Sequence, residues 1–530
     1  MNIQYTWLDW GVFGLYFMVL AFIGWYFNQT KSRNTNDYFL GGNSMPIWVV
    51  AISVLATSQS AATFLGGPDQ GYQGNMTYLA TNIGALLAVF FVAIYLIPKF
   101  YQYKVSTVYE FLEVKFGESA KKQSGYMYLF GRVFASGARL YLAAIAVAMI
   151  LFGNISAQSV VFAIVILTAL GLAYSVIGGI RSVIYSDAIQ CFVYISAALC
   201  VIYFLLDAIP ADFSQIITAL QEPSNGQVSK LTILNFNLDF SSAGVFSFWS
   251  SITGFVLLNI AAFGLDQDMT QRILTCKNAK DGVKAMIWSV VLVIPVMAIF
   301  IFIGLLLYIF YQRPDLMQLS DSNEIIQNFD GEKITIFMYY ILNEIPSGVK
   351  GLVTVGVIAA ALSTLNSGLN SMSSVIIQDI YRPYIKKSNK QYSDRHFVIA
   401  GQFGMIISAL FLASMAILCF YWQRYTQMPL LAFALSVMVF SYSGLLGVYF
   451  TALFTNRGSK HSVLASLVGG ALITFSMQPY VLNSLHPAFA EVNIGFSWQL
   501  CIGTFCAFII CCLGKQSKKV QTEFNKAINA

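Results

Sequence analysis

Charge is what this sequence is poorest in. Only 10% of its 530 residues are Asp, Glu, Lys or Arg, where a soluble globular domain carries roughly 25%. No long polar stretch separates the apolar segments that recur from Trp7 to Cys512, so a string of water-soluble domains is excluded and the solvent is a bilayer. Histidine is almost as scarce: His396, His461 and His486 all fall near loops or helix ends. With no His-Glu-x-x-His pair and no phosphate-cradling glycine loop, zinc hydrolysis and nucleotide chemistry are excluded, and an enzyme is not expected. The eight cysteines, Cys191, Cys200, Cys276, Cys419, Cys501, Cys506, Cys511 and Cys512, lack paired metal-ligand spacing and read as small core residues. The first apolar stretch has Asp9 where a signal peptide has a basic leader, and no small-residue cleavage site follows. It is expected to stay as a spanning helix.

What the chain has in abundance is apolar length, 57% of its residues being hydrophobic. Stretches able to cross about 30 Å of hydrocarbon lie near residues 7–27, 47–66, 78–98, 125–152, 159–177, 184–206, 246–265, 285–311, 346–378, 396–420, 430–454, 462–478 and 496–513. Thirteen spans put the termini on opposite sides. With the N-terminus outside, the inner loops collect 23 of the 30 basic residues, and outer loops and helix ends hold five: Lys230, Arg313, Lys333, Lys350 and Arg424. That is the bias of a cytoplasmic face. The net charge of +6 therefore reports topology, and no nucleic-acid partner is expected. In the outer segment 312–345, the apolar run Ile334–Ile345 is too short to span and predicts a short helix over the outer mouth.

A charge at the centre of a span costs about 2.5–3.5 kcal/mol on insertion scales, so intramembrane polarity marks buried sites. On the second span Ser53, Thr57, Ser60 and Thr63 share a face, and the helix is expected to dissolve into Gly66-Gly67-Pro68-Asp69-Gln70-Gly71. Hydroxyl-mediated helix packing explains such a stripe as readily as a ligand site does. The ninth span is richer: Ser363, Ser367, Asn370 and Ser374 share a face flanked by Thr364 and Asn366. Hydroxyl and carbonyl oxygens at that density, without a carboxylate, suit a weakly held monovalent cation better than calcium. Asp187, near the inner end of the sixth span, is either an N-terminal cap or part of an ion or proton path.

Arg132 and Arg139 lie seven residues apart on one face of the fourth span. Arg132 is close enough to the inner end to snorkel, whereas Arg139 needs a buried anion, either a structural carboxylate or the carboxylate of a substrate. The seventh span is expected to be interrupted at Asn259 and Gly264 before Asp266-Gln267-Asp268-Met269-Thr270-Gln271-Arg272. Two weak helices five spans apart fit inverted halves that each give a discontinuous first helix to a central site.

These residues also carry a resemblance. Asp37-Tyr38-Phe39-Leu40-Gly41-Gly42 precedes the second span, and Gly178-Gly179 precedes Ser186-Asp187-Ala188-Ile189-Gln190. Gly264-Leu265-Asp266-Gln267 leads to Gln271-Arg272, and the run through Ser363 and Thr364 leads to Leu369-Asn370-Ser371 and Asp379-Ile380-Tyr381. In this order and at these distances the chain resembles the solute:sodium symporter family over nearly its whole length.

The resemblance implies an all-α integral membrane protein with a leucine-transporter-like core of two inverted five-helix repeats, residues 47–206 and 246–454. An extra helix at 7–27 precedes the core, and two helices within 462–513 and a cytoplasmic tail at 514–530 follow it. The family's common sodium site maps onto the carbonyls of Ala56, Gln59 and Ala360 and the hydroxyls of Ser363 and Thr364. A second sodium, held by some members, maps onto Asp187, Asn366 and Ser367, with Asn366 where sialic acid carriers have a hydroxyl. Solute contacts map onto Asn82 and Asn259 from the sugar carriers and onto Ser60 and Thr63 from the sialic acid carriers. The substrate-binding arginine of the latter appears as Ala135, with Arg139 one turn farther out. The sugar carriers' tyrosine gate, lysine and glutamine appear as Ala262, Val291 and Leu435, so galactose or glucose specificity is not expected.

Residues and resemblance together lead to an expected function, secondary active symport. Inward sodium flux drives uptake of a small organic solute, a sugar, sugar acid or other carboxylate, by alternating access. Sodium is the coupling ion, no organic cofactor is needed, and the protein works as a monomer in the cell (inner) membrane. The rival within the class is a proton-coupled carrier with Asp187 as its proton site. A transporter-like sensor would need a fused output domain, and only a short basic tail follows Leu513.

Overall fold

A chain in hydrocarbon must satisfy its backbone polar groups internally, which a helix does within one segment. In the computed structural model helix occupies each of the thirteen expected stretches. These helices are α1 (Trp7–Gln29), α2 (Ile47–Ser58), α3 (Ala61–Gln73), α4 (Thr81–Tyr95), α5 (Glu118–Phe152), α6 (Ala157–Ala208), α7 (Gly254–Ile260) and α8 (Gln267–Leu274). There follow α9 (Ala279–Gln312), α10 (Ile336–Asn343), α11 (Val349–Val375), α12 (Asp394–Thr426), α13 (Leu430–Phe454), α14 (Lys460–Ser476) and α15 (Phe496–Cys512). The structure describes residues 5–29, 34–223, 228–317, 328–329, 332–333, 335–388, 391–426, 430–485 and 492–515. The basic tail beyond Lys515, with Lys31 and Arg33, lies outside them. Among the described residues nine helical segments are long and apolar enough to cross a membrane, or ten with the bent pair Thr35–Asn43 and Ile47–Ser58 counted as one. The only strands among those residues form a hairpin, Asn328–Phe329 with Glu332–Lys333.

Polarity runs inside out relative to a soluble protein. Every residue of α11 from Val353 to Val375 is buried, against α1, α5, α6 and α12. At the periphery α1 turns Leu15, Met18 and Phe22 outward, each more than half exposed, as suits a lipid-facing surface.

Three helix breaks shape the interior. Gly179, at φ +59° and ψ −162°, divides α6, and a Cβ there would stand 2.8 Å from the Tyr38 carbonyl oxygen, so only glycine fits. The second break is at Gln59 and Ser60, both extended, where the Ser60 hydroxyl accepts the Ala62 N–H (3.2 Å) and caps α3. This corrects the expectation that the helix dissolves at Gly66–Gly71, since those residues are helical, with Gly66, Gly67, Pro68 and Gly71 buried. Their glycines serve packing instead: a Cβ on Gly71 would meet the Ile301 carbonyl at 2.3 Å, and one on Gly304 the Pro68 carbonyl at 2.0 Å. The backbones of α3 and α9 therefore touch directly. The third break falls later than expected. Asn259 stays helical, a π turn spans Ala261–Leu265, and the chain extends only at Asp266.

The predicted short helix over the outer mouth is α10, buried, with Phe337 ringed against Phe64 of α3 at 5.8 Å. Two basic residues assigned to loops are interior groups. Arg272 is fully buried, and Lys230, 4% exposed, donates to the Tyr72 carbonyl (2.7 Å) beneath the Tyr308 ring.

Candidate functional site

Where the breaks at Ser60 and Asp266 meet α4, α5, α9 and α13, the helices leave a cavity of about 130 Å³. All five expected solute contacts, Ser60, Thr63, Asn82, Arg139 and Asn259, line it, together with Gln59. Ser60 and Thr63 arrive there because a chain break and the first turn beyond it face inward. Asn82 donates to the Leu79 carbonyl (3.0 Å) and to the Met297 thioether (3.2 Å), and Asn259 donates to the Phe255 carbonyl (2.8 Å).

Arg139 is the anomaly. It is 9% exposed, one terminal nitrogen reaches only the Met438 sulfur (3.3 Å), and the other has no hydrogen-bond partner. No carboxylate among the described residues pairs with it. A thioether is a weak acceptor, so this guanidinium is a buried cation with its charge unanswered.

The expected sodium ligands lie at the end of α2 and on α11, two helices that pack against each other. The last turn of α2 ends in carbonyls that have no following helical amide, and Ala56 and Gln59 supply two of them. Across from it the Thr364 hydroxyl donates to the Ala360 carbonyl (3.2 Å) and the Ser363 hydroxyl to Asp187 (2.8 Å). Both hydroxyls thus spend their protons on the protein and keep lone pairs for a cation. Asp187 also takes the Ser53 hydroxyl of α2 (2.5 Å), so one carboxylate ties the two helices together at this level. The Gln59 side-chain oxygen is buried without a partner.

The second set is arranged otherwise. Ser367 donates to Asp268 (3.0 Å), and the Asn366 amide is buried with neither its oxygen nor its nitrogen partnered. Asp187 is not a helix cap, since helix continues on both sides of it. Its oxygens serve Ser53, Ser363 and Arg272, the last at 3.0 Å.

Sequence reasoning missed the network this belongs to. Arg132, expected to snorkel, is 2% exposed and pairs with Asp266 (3.1 Å) and Asp268. It faces a break whose backbone is buried, and two carboxylates there hold it more strongly than distant water would. Asp268 also pairs with Arg272 (2.9 Å), and Asp266 accepts the Tyr442 hydroxyl (2.6 Å). The readable signals were the four-residue spacing of Asp268 and Arg272 on a helix and two arginines within a span, each in need of an anion.

A helical membrane protein with two broken helices around a small central cavity has the architecture of a secondary carrier. The sequence profile of the Sodium:solute symporter family matches residues 38–470, and the chain belongs to that family. It is a sodium-coupled solute carrier. It is 27% identical over 386 residues to the sodium/sialic acid symporter SiaT of Proteus mirabilis, covering 73% of each chain. It is 24% identical over 536 residues to the sodium/glucose cotransporter of Vibrio parahaemolyticus, covering 94% of this chain and 91% of that one. Its fold matches a solved substrate-bound, outward-open Na+-coupled sialic acid symporter with a TM-score of 0.79 and 22% identity, over 97% of this chain and 100% of the other. The fold is therefore the leucine-transporter-like one.

Proposed function

We propose that this carrier couples sodium entry to uptake of a small solute bearing a carboxylate, and that Arg139 is the carboxylate's anchor. The carrying observation is the unanswered guanidinium of Arg139 on the cavity wall. A neutral sugar would leave that charge buried and unpaired, whereas a carboxylate would form a charge-assisted bidentate pair. Ser60, Thr63, Asn82 and Asn259 hold the rest of the solute.

Sodium binds at Ala56, Gln59, Ala360, Ser363 and Thr364 and locks the end of α2 to α11, which shapes the Ser60 end of the cavity. The two five-helix units 47–206 and 246–454, related by inversion, then expose the site to each side in turn. The basic loops face the cytoplasm and the N-terminus faces outward, in a cell membrane, with one chain sufficient for transport. Inside, low sodium and a negative potential draw the ion away at about 2.3 kcal/mol per charge per 100 mV, and the solute follows. Sodium is favoured over a proton as coupling ion because Asp187 already has an arginine as counter-charge.

The test is uptake into proteoliposomes of a panel of labelled acidic and neutral solutes, with and without an inward sodium gradient. Sodium-driven uptake of an acid that Arg139→Gln abolishes and Ser363→Ala uncouples from sodium is expected. Equal uptake of neutral solutes by Arg139→Gln and wild type, or uptake driven by a pH gradient alone, would sink the proposal.

A further inference from the structure

Solute cavity and sodium ligands are joined by a continuous buried chain of charges. Arg132 lines the cavity and pairs with Asp268. Asp268 pairs with Arg272 (2.9 Å), Arg272 with Asp187 (3.0 Å), and Asp187 accepts the hydroxyl of Ser363 (2.8 Å). Every link is at most 2% exposed. Space for it is built in, since Gly368 of α11 lies where a Cβ would come within 3.4 Å of the Arg132 Nε and 3.1 Å of the Ser136 hydroxyl.

We propose that Arg132 and Asp268 are coupling residues, which transmit sodium occupancy at Ser363 to the electrostatic potential of the solute cavity. The inference rests on the sodium-coupled reading above. Three carboxylates, Asp187, Asp266 and Asp268, face two guanidiniums, Arg132 and Arg272, so the network carries one net negative charge. That charge opposes an anion approaching Arg139. A sodium ion on the Ser363 hydroxyl brings a positive charge to the Asp187 end. Asp187 then shares its field between sodium and Arg272, Arg272 leans on Asp268, and Asp268 loosens its hold on Arg132. The cavity floor becomes more positive, and anion binding improves. In a site shielded from water such shifts propagate with little screening.

The extended residue Asp266, which caps α8 and also binds Arg132, is where this redistribution meets a helix break. A chain of contacts alone does not establish coupling, whereas a network tied to a hinge gives the two states that both ligands bias.

The test needs no solute. Ala85 lines the cavity outside the network, and in an Ala85→Cys carrier the labelling rates by an anionic and a cationic methanethiosulfonate report the cavity potential. The parent without Ala85→Cys corrects for native cysteines. Replacing choline by sodium should raise the anion-to-cation rate ratio about tenfold, within the usual range of allosteric coupling. In Arg132→Gln and Asp268→Asn backgrounds that rise should vanish, while sodium still raises the melting temperature because the ion site remains. Two backgrounds guard against one failing to fold. A sodium-dependent ratio that persists in both, or loss of sodium stabilisation in both, overturns the proposal. No sodium effect on ratio or melting in the Ala85→Cys carrier itself would instead refute the sodium-coupled reading.

Discussion

Arg132 and Arg139 stand two turns apart on one helix face, both buried, with surroundings that differ in kind. Arg132 lies between two carboxylates, and Arg139 touches a thioether and lines the cavity. A guanidinium with protein counter-ions holds the fold and shapes the field. One without them is stabilised only when something else supplies the anion. The same helix thus separates a finished interaction from one that, in the function proposed above, a ligand completes.

The largest expected effect follows from removing the finished interaction. Arg132→Met strands Asp266 and Asp268 and should destabilise the carrier by about 3–5 kcal/mol, read as unfolding in detergent. A stability equal to wild type would break the comparison from its structural side. Arg139→Gln should do the converse, weakening binding of the accepted acid by about 10- to 100-fold, as expected for a lost hydrogen bond to a charged group. Its melting temperature should hold or rise, since a buried unpaired charge is relieved.

Lys230 offers a third buried cation, answered by a carbonyl and a ring instead of a carboxylate. Burial lowers its ammonium from 10.5 to about 8. Between those values the unfolded chain holds a proton that the native one has released, so stability should rise as pH climbs from about 8 to 10.5. Lys230→Met should flatten that slope in a pH series of melting curves. The smallest effect is expected for Met438→Leu, which keeps volume but removes the sulfur that Arg139 touches. Solute affinity should change by less than about threefold, and a larger loss would mean the thioether positions the arginine.

Much of the fold was legible because bilayer thickness imposes a length and lipid imposes hydrophobicity, and both are written along the chain. The serine and threonine stripe of α11 was visible for the same local reason, as was the presence of a break in the second and seventh spans, though not its position. The glycines of α3 were misleading. Gly66, Gly67 and Gly71 read as a helix breaker, yet Gly67 and Gly71 are contact points for α9, and nothing in the stretch 66–71 reveals a partner that lies more than two hundred residues away. Ser60 carried the true signal, a capping residue after a helix end, hidden within a periodic stripe.

By itself, the sequence determined that this chain is helical and membrane-embedded, where its polar faces lie and which residue types surround the site. Those properties depend on spacing along a helix and on solvent preference. Only the tertiary structure decided which buried charge meets which. Arg132 finds Asp266 and Asp268 across 134 and 136 positions of sequence, and Arg272 finds Asp187 across 85. Ion pairing depends on distance in space and on exclusion of water, neither of which a linear pattern encodes. For that reason Arg139 was legible as a residue in need of an anion, and its lack of one among the described residues emerged only from the packed helices.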